Sequence, residues 1–384
     1  MKQKKVIVVG GGFGGFKAVK GLLKKGFEVT LISENEYFYF TPLLVEVVVR
    51  TLNFRDVSLK FSDYFKSKNF TFILGQVDRI DFENNLVHVG SSEFSYDYIV
   101  VSTGSRRRTL PMKGHDLGLP LKNLKQAEVL RERLFREINS ASEVLHVSVI
   151  GAGASGIELA FAVDQLAHHC KKFPRIEINV FDSGDKLLPK WNPRVGQRVV
   201  KLMKKKGIHL HLNSVVKEVG NNFIITDKGR HHSDLTILTL GVVPNSSMIP
   251  AHYLDENKYI KVDDFLKIVG LKNAFALGDV VKFDKILVPK LAQTAQNQGI
   301  LAAKNITRLA QGKSLKKYSA TILGNVLTLG SRNSITTVKN MMFAGVLGNI
   351  MRAGAYIYKM PGLSEKMELA RSWILHTLFK VNLK

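Results

Sequence analysis

Short, uninterrupted apolar runs dominate the pattern of hydrophobic positions along the chain. Val6-Ile7-Val8-Val9 and Val147-Ser148-Val149-Ile150 each read as a buried strand, and each stops at a cluster of glycines. Further runs predict strands at residues 27–32, 70–74, 86–89, 96–101, 176–181, 235–240 and 274–277. Longer stretches with mixed polarity predict helices at 126–138 and about 292–309. Strands alternating with helices predict an α/β fold with two Rossmann-like halves. The first half closes with Val101-Ser102-Thr103-Gly104 and the second with Leu238-Thr239-Leu240-Gly241, so their ends correspond. The chain then returns through Ala274-Phe275-Ala276-Leu277-Gly278-Asp279. This order predicts a discontinuous first domain (1–122 and 255–317), an inserted second domain (123–254) and a C-terminal region (318–384).

The glycine clusters give the halves a chemistry. Gly10-Gly11-Gly12-Phe13-Gly14-Gly15 and Gly151-Ala152-Gly153-Ala154-Ser155-Gly156 both fit G-x-G-x-x-G between a strand and a helix. The first glycine permits the tight turn, the second lets backbone approach a pyrophosphate, and the third lets helix and strand pack closely. The phosphates lie at a helix N-terminus, where free N–H groups favour negative charge. Two such loops predict two dinucleotides in one chain, with electrons passing between them. A carboxylate closing the next strand binds a ribose hydroxyl. Glu34 is the candidate after the first loop and Asp182 after the second. Asp182 is followed by Ser183-Gly184 with no adjacent Arg, which favours NADH over NADPH.

Composition narrows the class. The 384 residues carry 56 Lys and Arg against 32 Asp and Glu, a formal charge of +24. Such a balance fits nucleic acid, an anionic membrane or a general lysine bias. The basic runs Arg106-Arg107-Arg108 and Lys204-Lys205-Lys206 are short and lack aromatic platforms, so no specific nucleic-acid partner is expected. The first strand begins after five residues, which predicts no cleavable signal peptide. No run of about 18 uncharged apolar residues predicts a spanning helix, the longest tempting segment being 341–351. Cys170 is the single cysteine. It excludes an intrachain redox disulfide and the two-cysteine chemistry of sulfide oxidation. His209-x-His211, His168-His169 and His231-His232 lack carboxylates at ligand spacing, so no metal is expected.

These motifs together resemble the type II NADH dehydrogenases, single-subunit, non-pumping NADH:quinone oxidoreductases of the two-dinucleotide flavoprotein superfamily. The resemblance rests on residues 10–15, 37–47, 151–160, 275–280 and 289–306, and within them on Thr41-Pro42-Leu43-Leu44 and Ala292-Gln293-Thr294-Ala295-Gln296-Asn297-Gln298-Gly299. It implies FAD at the first loop, held by Gly10, Gly12, Phe13, Gly14, Gly15 and Glu34. Thr41, Pro42, Val77, Thr103, Gly104, Gly278, Asp279 and Ala292 would line the same cofactor, Asp279 at its ribitol and phosphates. It implies NADH at Gly151, Gly153, Ser155, Gly156, Asp182 and Gly241, with Glu158 on the nicotinamide side. An exposed helix carboxylate is the plainer reading of Glu158.

The resemblance further implies a quinone, ubiquinone or menaquinone, at the Gln293 helix start. Asn297 stands where the family has a glutamine, which keeps an amide and shortens its reach. Glu46 matches an acid near the quinone entrance. The C-terminal region mixes Met341, Met342, Val346, Leu347, Ile350 and Met367 with Arg352, Lys359, Lys366, Trp373 and Lys380. Basic amphipathic helices with Trp or Tyr suit anionic bilayer surfaces. This predicts a peripheral membrane protein at the cytoplasmic face of the cell membrane. The alternatives for the same helices are a homodimer interface or packing on the core. Two rivals stand beside this reading. One is a flavin reductase with a soluble acceptor, similar to ferredoxin reductases or apoptosis-inducing flavoproteins. The other is an NADH-responsive binding protein.

Overall fold

The computed structural model describes residues 3–141, 143–169, 175–189, 191–283, 286, 288–330, 333–339 and 341–379. The chain forms two compact units, each assembled from three stretches. One takes Met1–Tyr39, Ser58–Arg106 and Val242–Ile322; the other takes Phe40–Val57, Arg107–Gly241 and Leu323–Lys384.

The first unit is built on a five-stranded parallel sheet. Its order is Ala274–Ala276, Tyr98–Val101, Lys5–Val9, Glu28–Ser33 and Phe70–Leu74. Val9 lies in register with Val101 on one side and Ile32 on the other. Val6, Ile7, Val8 and Val9 are all buried, as continuous apolar strands in a parallel sheet must be. The helices Phe13–Leu23 and Ala292–Ala310 pack on one another with very little room. A Cβ at Gly299 would lie 2.1 Å from the carbonyl oxygen of Gly14, and one at Gly21 would lie 2.7 Å from Ala303 Cβ. An antiparallel meander of Arg79–Asp81, Leu86–Val89 and Ser92–Ser95 adds to this unit's β structure, beside short strand pairs.

The second unit repeats the plan. Its parallel sheet runs Leu119–Pro120, Leu235–Leu238, Val144–Ile150, Arg175–Phe181 and His209–His211. The helix Ala154–His169 follows the central strand. Gly324–Thr328, Ser334–Val338 and Met341–Ala344 then form an antiparallel sheet, followed by the helices Gly345–Lys359 and Leu363–Phe379. The apolar segment 341–351 is therefore a strand and then a helix, turned at Gly345 (φ +70°). Among the described residues no helix is long and apolar enough to cross a membrane.

Both sheets give the α/β architecture expected from the strand pattern. The grouping of segments differs from the division by dinucleotide, because Phe40–Val57 and Leu323–Lys384 pack into the second unit. Leu44–Val48 packs on the helices Leu124–Ser140 and Ala154–His169, Gly324–Thr328 packs on the latter, and three contacts tie the two segments to each other. Phe40 meets Tyr356 edge-on at 5.6 Å between ring centroids. Ser372 Oγ donates to Asp56 Oδ1 at 2.8 Å. Glu46 pairs with Arg352.

Candidate functional site

The two glycine loops are built alike. Gly10 has φ +96° and Gly151 φ +108°, a backbone region that side chains rarely adopt. A Cβ at Gly15 would lie 1.9 Å from the carbonyl oxygen of Gly10, and one at Gly156 would lie 2.0 Å from that of Gly151. At Gly12 and Gly153 a Cβ would meet nothing within 4 Å. The first and third glycines thus satisfy the protein, while the middle ones face open space. Gly12 caps the helix Phe13–Leu23 with no side-chain hydrogen bond, so its first-turn N–H groups remain available to an anion. These cradles fit a dinucleotide pyrophosphate in each unit.

The first unit collects further polar groups around its loop. Leu277 Cδ1 would lie 2.1 Å from a Cβ at Gly14, which brings the Leu277-Gly278-Asp279 turn against the fingerprint. Ser105 Oγ donates to Asp279 Oδ2 at 2.9 Å, and the Gly278 N–H donates to Gln298 Oε1 at 2.7 Å. Gln298 Nε2 is buried. Thr103 Oγ1 donates to the Asn245 carbonyl at 2.6 Å, leaving Gly104 (φ +67°) at the turn. Phe13 packs edge-on against Phe38 at 5.1 Å, and Val77 is buried. Ala292 opens its helix, Gln293 is buried on it, and Asn297 is exposed. Glu34 is exposed directly after the second strand of the sheet. Burial lowers the proton affinity of Lys290, against the pull of Asp279 and Asp255, and its Nζ donates to the Val281 carbonyl.

In the second unit Asp182 organises its own loop. Oδ2 accepts from the Ala152 N–H at 2.7 Å and Oδ1 from the Gly184 N–H at 2.7 Å. The carboxylate is thereby fixed beside the open middle glycine, with Ser155 exposed in the first turn of the helix and Gly241 exposed three residues beyond the strand Leu235–Leu238. His211 stacks on Phe181 at 4.5 Å, and the described residues hold no cluster of ligands for a metal. Cys170 and Lys380 lie outside the described residues, as do the side chains of His168, His169 and Leu378.

A cavity of about 410 Å3 opens in the same unit, walled largely by carbon from Pro42, Val45, Val49, Ala162, Ile357 and Ile374. Two carboxyls face it. Glu46, on the short helix Leu44–Val48, is buried; its Oε1 accepts from Arg352 Nη1 and its Oε2 from Trp373 Nε1 at 2.6 Å. Arg352 is 3% exposed. Its Nε donates to Asn349 Oδ1 at 3.0 Å, and its guanidinium lies over the rings of Trp373 (5.0 Å) and Tyr356 (5.7 Å). Glu158, on Ala154–His169, accepts from the Thr328 N–H at 2.9 Å. Burial pushes its carboxyl up to about 7, with Glu46 adding to the rise and Thr328 and Arg352 opposing it. Burial likewise raises the Tyr356 phenol.

Several expectations change here. Glu158 is not an exposed helix carboxylate, since it faces this cavity. Thr41 and Pro42 belong to the unit that holds Glu46, where Thr41 is exposed and Pro42 lines the cavity. Arg352 and Trp373 turn inward, where the helical pattern had read them as the polar and interfacial residues of a surface helix. The outward face keeps Met341, Val346, Leu347, Ile350, Leu363 and Met367, each more than half exposed. Arg352, Tyr356 and Thr328 were missed as site residues. The available signal was spacing: Gly348, Arg352 and Tyr356 recur every four residues on one helical face. Gly348 lies so close to the sheet that its Cβ would be 2.3 Å from the Ser334 carbonyl oxygen, which turns that face inward.

With this geometry in place, similarity to known proteins becomes informative. Residues 4–299 match the family model for pyridine nucleotide-disulphide oxidoreductases. A probable NADH dehydrogenase from Dictyostelium discoideum is 26% identical, covering 99% of this chain and 90% of the relative. A type II NADH:quinone oxidoreductase from Staphylococcus aureus is 25% identical over 91% of this chain and 93% of that protein. The structure of NDH2 from Plasmodium falciparum in complex with NADH superposes with a TM-score of 0.87 at 16% identity, each chain covered completely.

Proposed function

The chain belongs to the pyridine nucleotide-disulphide oxidoreductase family, and from that premise we propose that it is an FAD-dependent oxidoreductase that oxidises NADH and reduces a membrane quinone. The balanced reaction is NADH + H+ + quinone → NAD+ + quinol. One cysteine in 384 residues rules out an intrachain disulfide as the carrier, whatever the family's name. The observation that carries the reading is the pair of loops whose middle glycines, Gly12 and Gly153, face open space.

In this reading the first unit holds FAD and the second holds NADH. Gly12, Asp279 and the N-terminus of Ala292–Ala310 bind and orient the flavin dinucleotide. When bound, the flavin accepts hydride and delivers two electrons. Gly153 and the fixed Asp182 carboxylate seat the other dinucleotide. A carboxylate held at that point repels a 2′-phosphate and accepts ribose hydroxyls, so NADH is the preferred donor. The protein's contribution to hydride transfer is positioning.

The cavity between Glu46 and Glu158 suits a quinone ring. Its walls are mostly carbon, and its polar groups are few and convergent, the pattern of small-molecule sites. Gln293 and Asn297 remain candidates for quinone contact from their own helix. The exposed face of Met341, Val346, Leu347, Leu363 and Met367 is an apolar patch on a chain of charge +24, which favours docking to anionic lipid at the cytoplasmic surface. A homodimer through the same face is the competing use. The test is purification without added cofactor: the protein should be yellow and should oxidise NADH only when quinone is present. A colourless protein, or a flavin-loaded one with no quinone-dependent rate, contradicts the reading.

A further inference from the structure

Two carboxyls share one small cavity, and the groups that hydrogen-bond to them differ. Both oxygens of Glu46 receive strong donors, a guanidinium on one and an indole N–H on the other. That pattern suits a carboxylate, which accepts hydrogen bonds and donates none. Arg352 is itself fixed by Asn349 and by two aromatic faces, and Glu46 is its only carboxylate partner among the described residues. We infer that Arg352 is a positioning residue of this cavity, whose guanidinium, held against Glu46, sets together with the Glu46 carboxyl and in the opposite sense how firmly Glu158 keeps its proton.

The charged or titratable groups that act on Glu158 come from two helices besides its own. Leu44–Val48 contributes Glu46, and Gly345–Lys359 contributes Arg352 and Tyr356; the strand Gly324–Thr328 contributes only the Thr328 donor. Glu46 and Arg352 act on Glu158 with opposite sign. Arg352 acts more strongly than Glu46, and burial outweighs both. Removing one partner leaves the other uncompensated. The two single removals must therefore shift Glu158 in opposite directions, which no purely structural role would do.

The inference shares the cavity with the quinone reading but does not need it for its principal test. Infrared spectra of the full-length, FAD-loaded protein would follow the protonated-carboxyl band that disappears in Glu158→Gln, titrated against pH without NADH or quinone. Arg352→Gln should move its midpoint upward by about one pH unit, and Glu46→Gln should move it downward by less. The double variant should fall between the two single variants. Arg352→Lys, which keeps the charge, should stay close to the parent and covers the case in which Arg352→Gln fails to fold. Midpoints that do not move, or that move the same way in both single variants, overturn the assignment. Opposed shifts in a protein with no quinone-dependent rate would leave Arg352 in this role and remove the quinone from the cavity.

Discussion

Ser102 and Thr239 perform the same task in the two units. Ser102 Oγ reaches the carbonyl oxygens of Val9 (3.0 Å) and Gly10 (2.8 Å), and Thr239 Oγ1 reaches those of Ile150 (3.1 Å) and Gly151 (2.8 Å). Each hydroxyl follows the parallel strand next to the fingerprint strand and braces the glycine turn from behind. The loops are therefore held in shape by their own unit before any ligand arrives, which is the preorganisation a dinucleotide site requires.

The glycines of one loop should separate by role. Gly15→Ala should destabilise the protein by about 3 kcal/mol or more, because its Cβ would overlap the Gly10 carbonyl oxygen. Gly12→Val has room in the protein, and its φ of −69° is ordinary, so the fold should persist while FAD is lost. Thermal unfolding and flavin content, measured on both variants, check the contrast. Equal flavin content in Gly12→Val and the parent would contradict it.

Asp182 should decide the nucleotide. Asp182→Asn keeps the side chain's size but loses the anion that accepts from Ala152 and Gly184. Weakening its charge-assisted hydrogen bond to the ribose, worth roughly 1.5–3 kcal/mol, predicts a KM for NADH raised about 10- to 100-fold. Discrimination against NADPH should shrink as the repulsion disappears. Steady-state kinetics with both donors measure this, and an unchanged NADH/NADPH ratio would contradict it.

Glu158 should make stability depend on pH in an unusual sense for a carboxyl. Its folded-state value of about 7 lies above its ordinary 4.5, so the folded protein binds the extra proton between those limits. Folding stability attributable to this group is full below about 4.5, falls as pH rises toward 7, and then levels off. At about 1.4 kcal/mol per unit, the loss is on the order of 3 kcal/mol. Glu158→Gln should match the parent near pH 4 and exceed its stability near pH 8, as read by urea unfolding at both pH values. A variant less stable than the parent at pH 8 would count against the shift.

The outward C-terminal face should set lipid affinity independently of the nucleotide sites. Val346, Leu347 and Met367 are exposed and line no described cavity. Replacing all three with Gln should weaken binding to anionic vesicles at least tenfold, since burying one such side chain contributes about 1.5–3 kcal/mol. FAD content and NADH affinity should not change. Vesicle sedimentation checks this, and a change in oligomeric state without loss of sedimentation would assign the face to a dimer instead. Truncation of residues 318–384 is a poorer test, because it also strips Arg352 and Trp373 from Glu46.

The sequence made the parallel sheets legible because their signals are local. A buried strand, a glycine turn and a helix fit within about twenty consecutive residues, and each glycine's spacing reflects a steric need seen again in the structure. Ser102 and Thr239 could be matched by position because they follow equivalent strands. The cavity was not legible. Glu46 and Arg352 lie 306 residues apart, and a lone Arg in an apolar helix reads equally well as a solvent-facing charge. Only packing showed that the Gly348 side of that helix lies against the sheet and carries Arg352 inward. Trp373 was misread for the same reason: helical periodicity gives the faces of a helix but not which one is covered.

The central claim is that electrons leave NADH, pass through bound flavin and reach a quinone. An anaerobic absorbance titration of the full-length, FAD-loaded protein tests it in one cuvette. Stoichiometric NADH should bleach the flavin's visible absorbance, and one equivalent of quinone should restore it. Flavin that NADH does not bleach, or that stays bleached with quinone and recovers only with a soluble acceptor, would contradict the account.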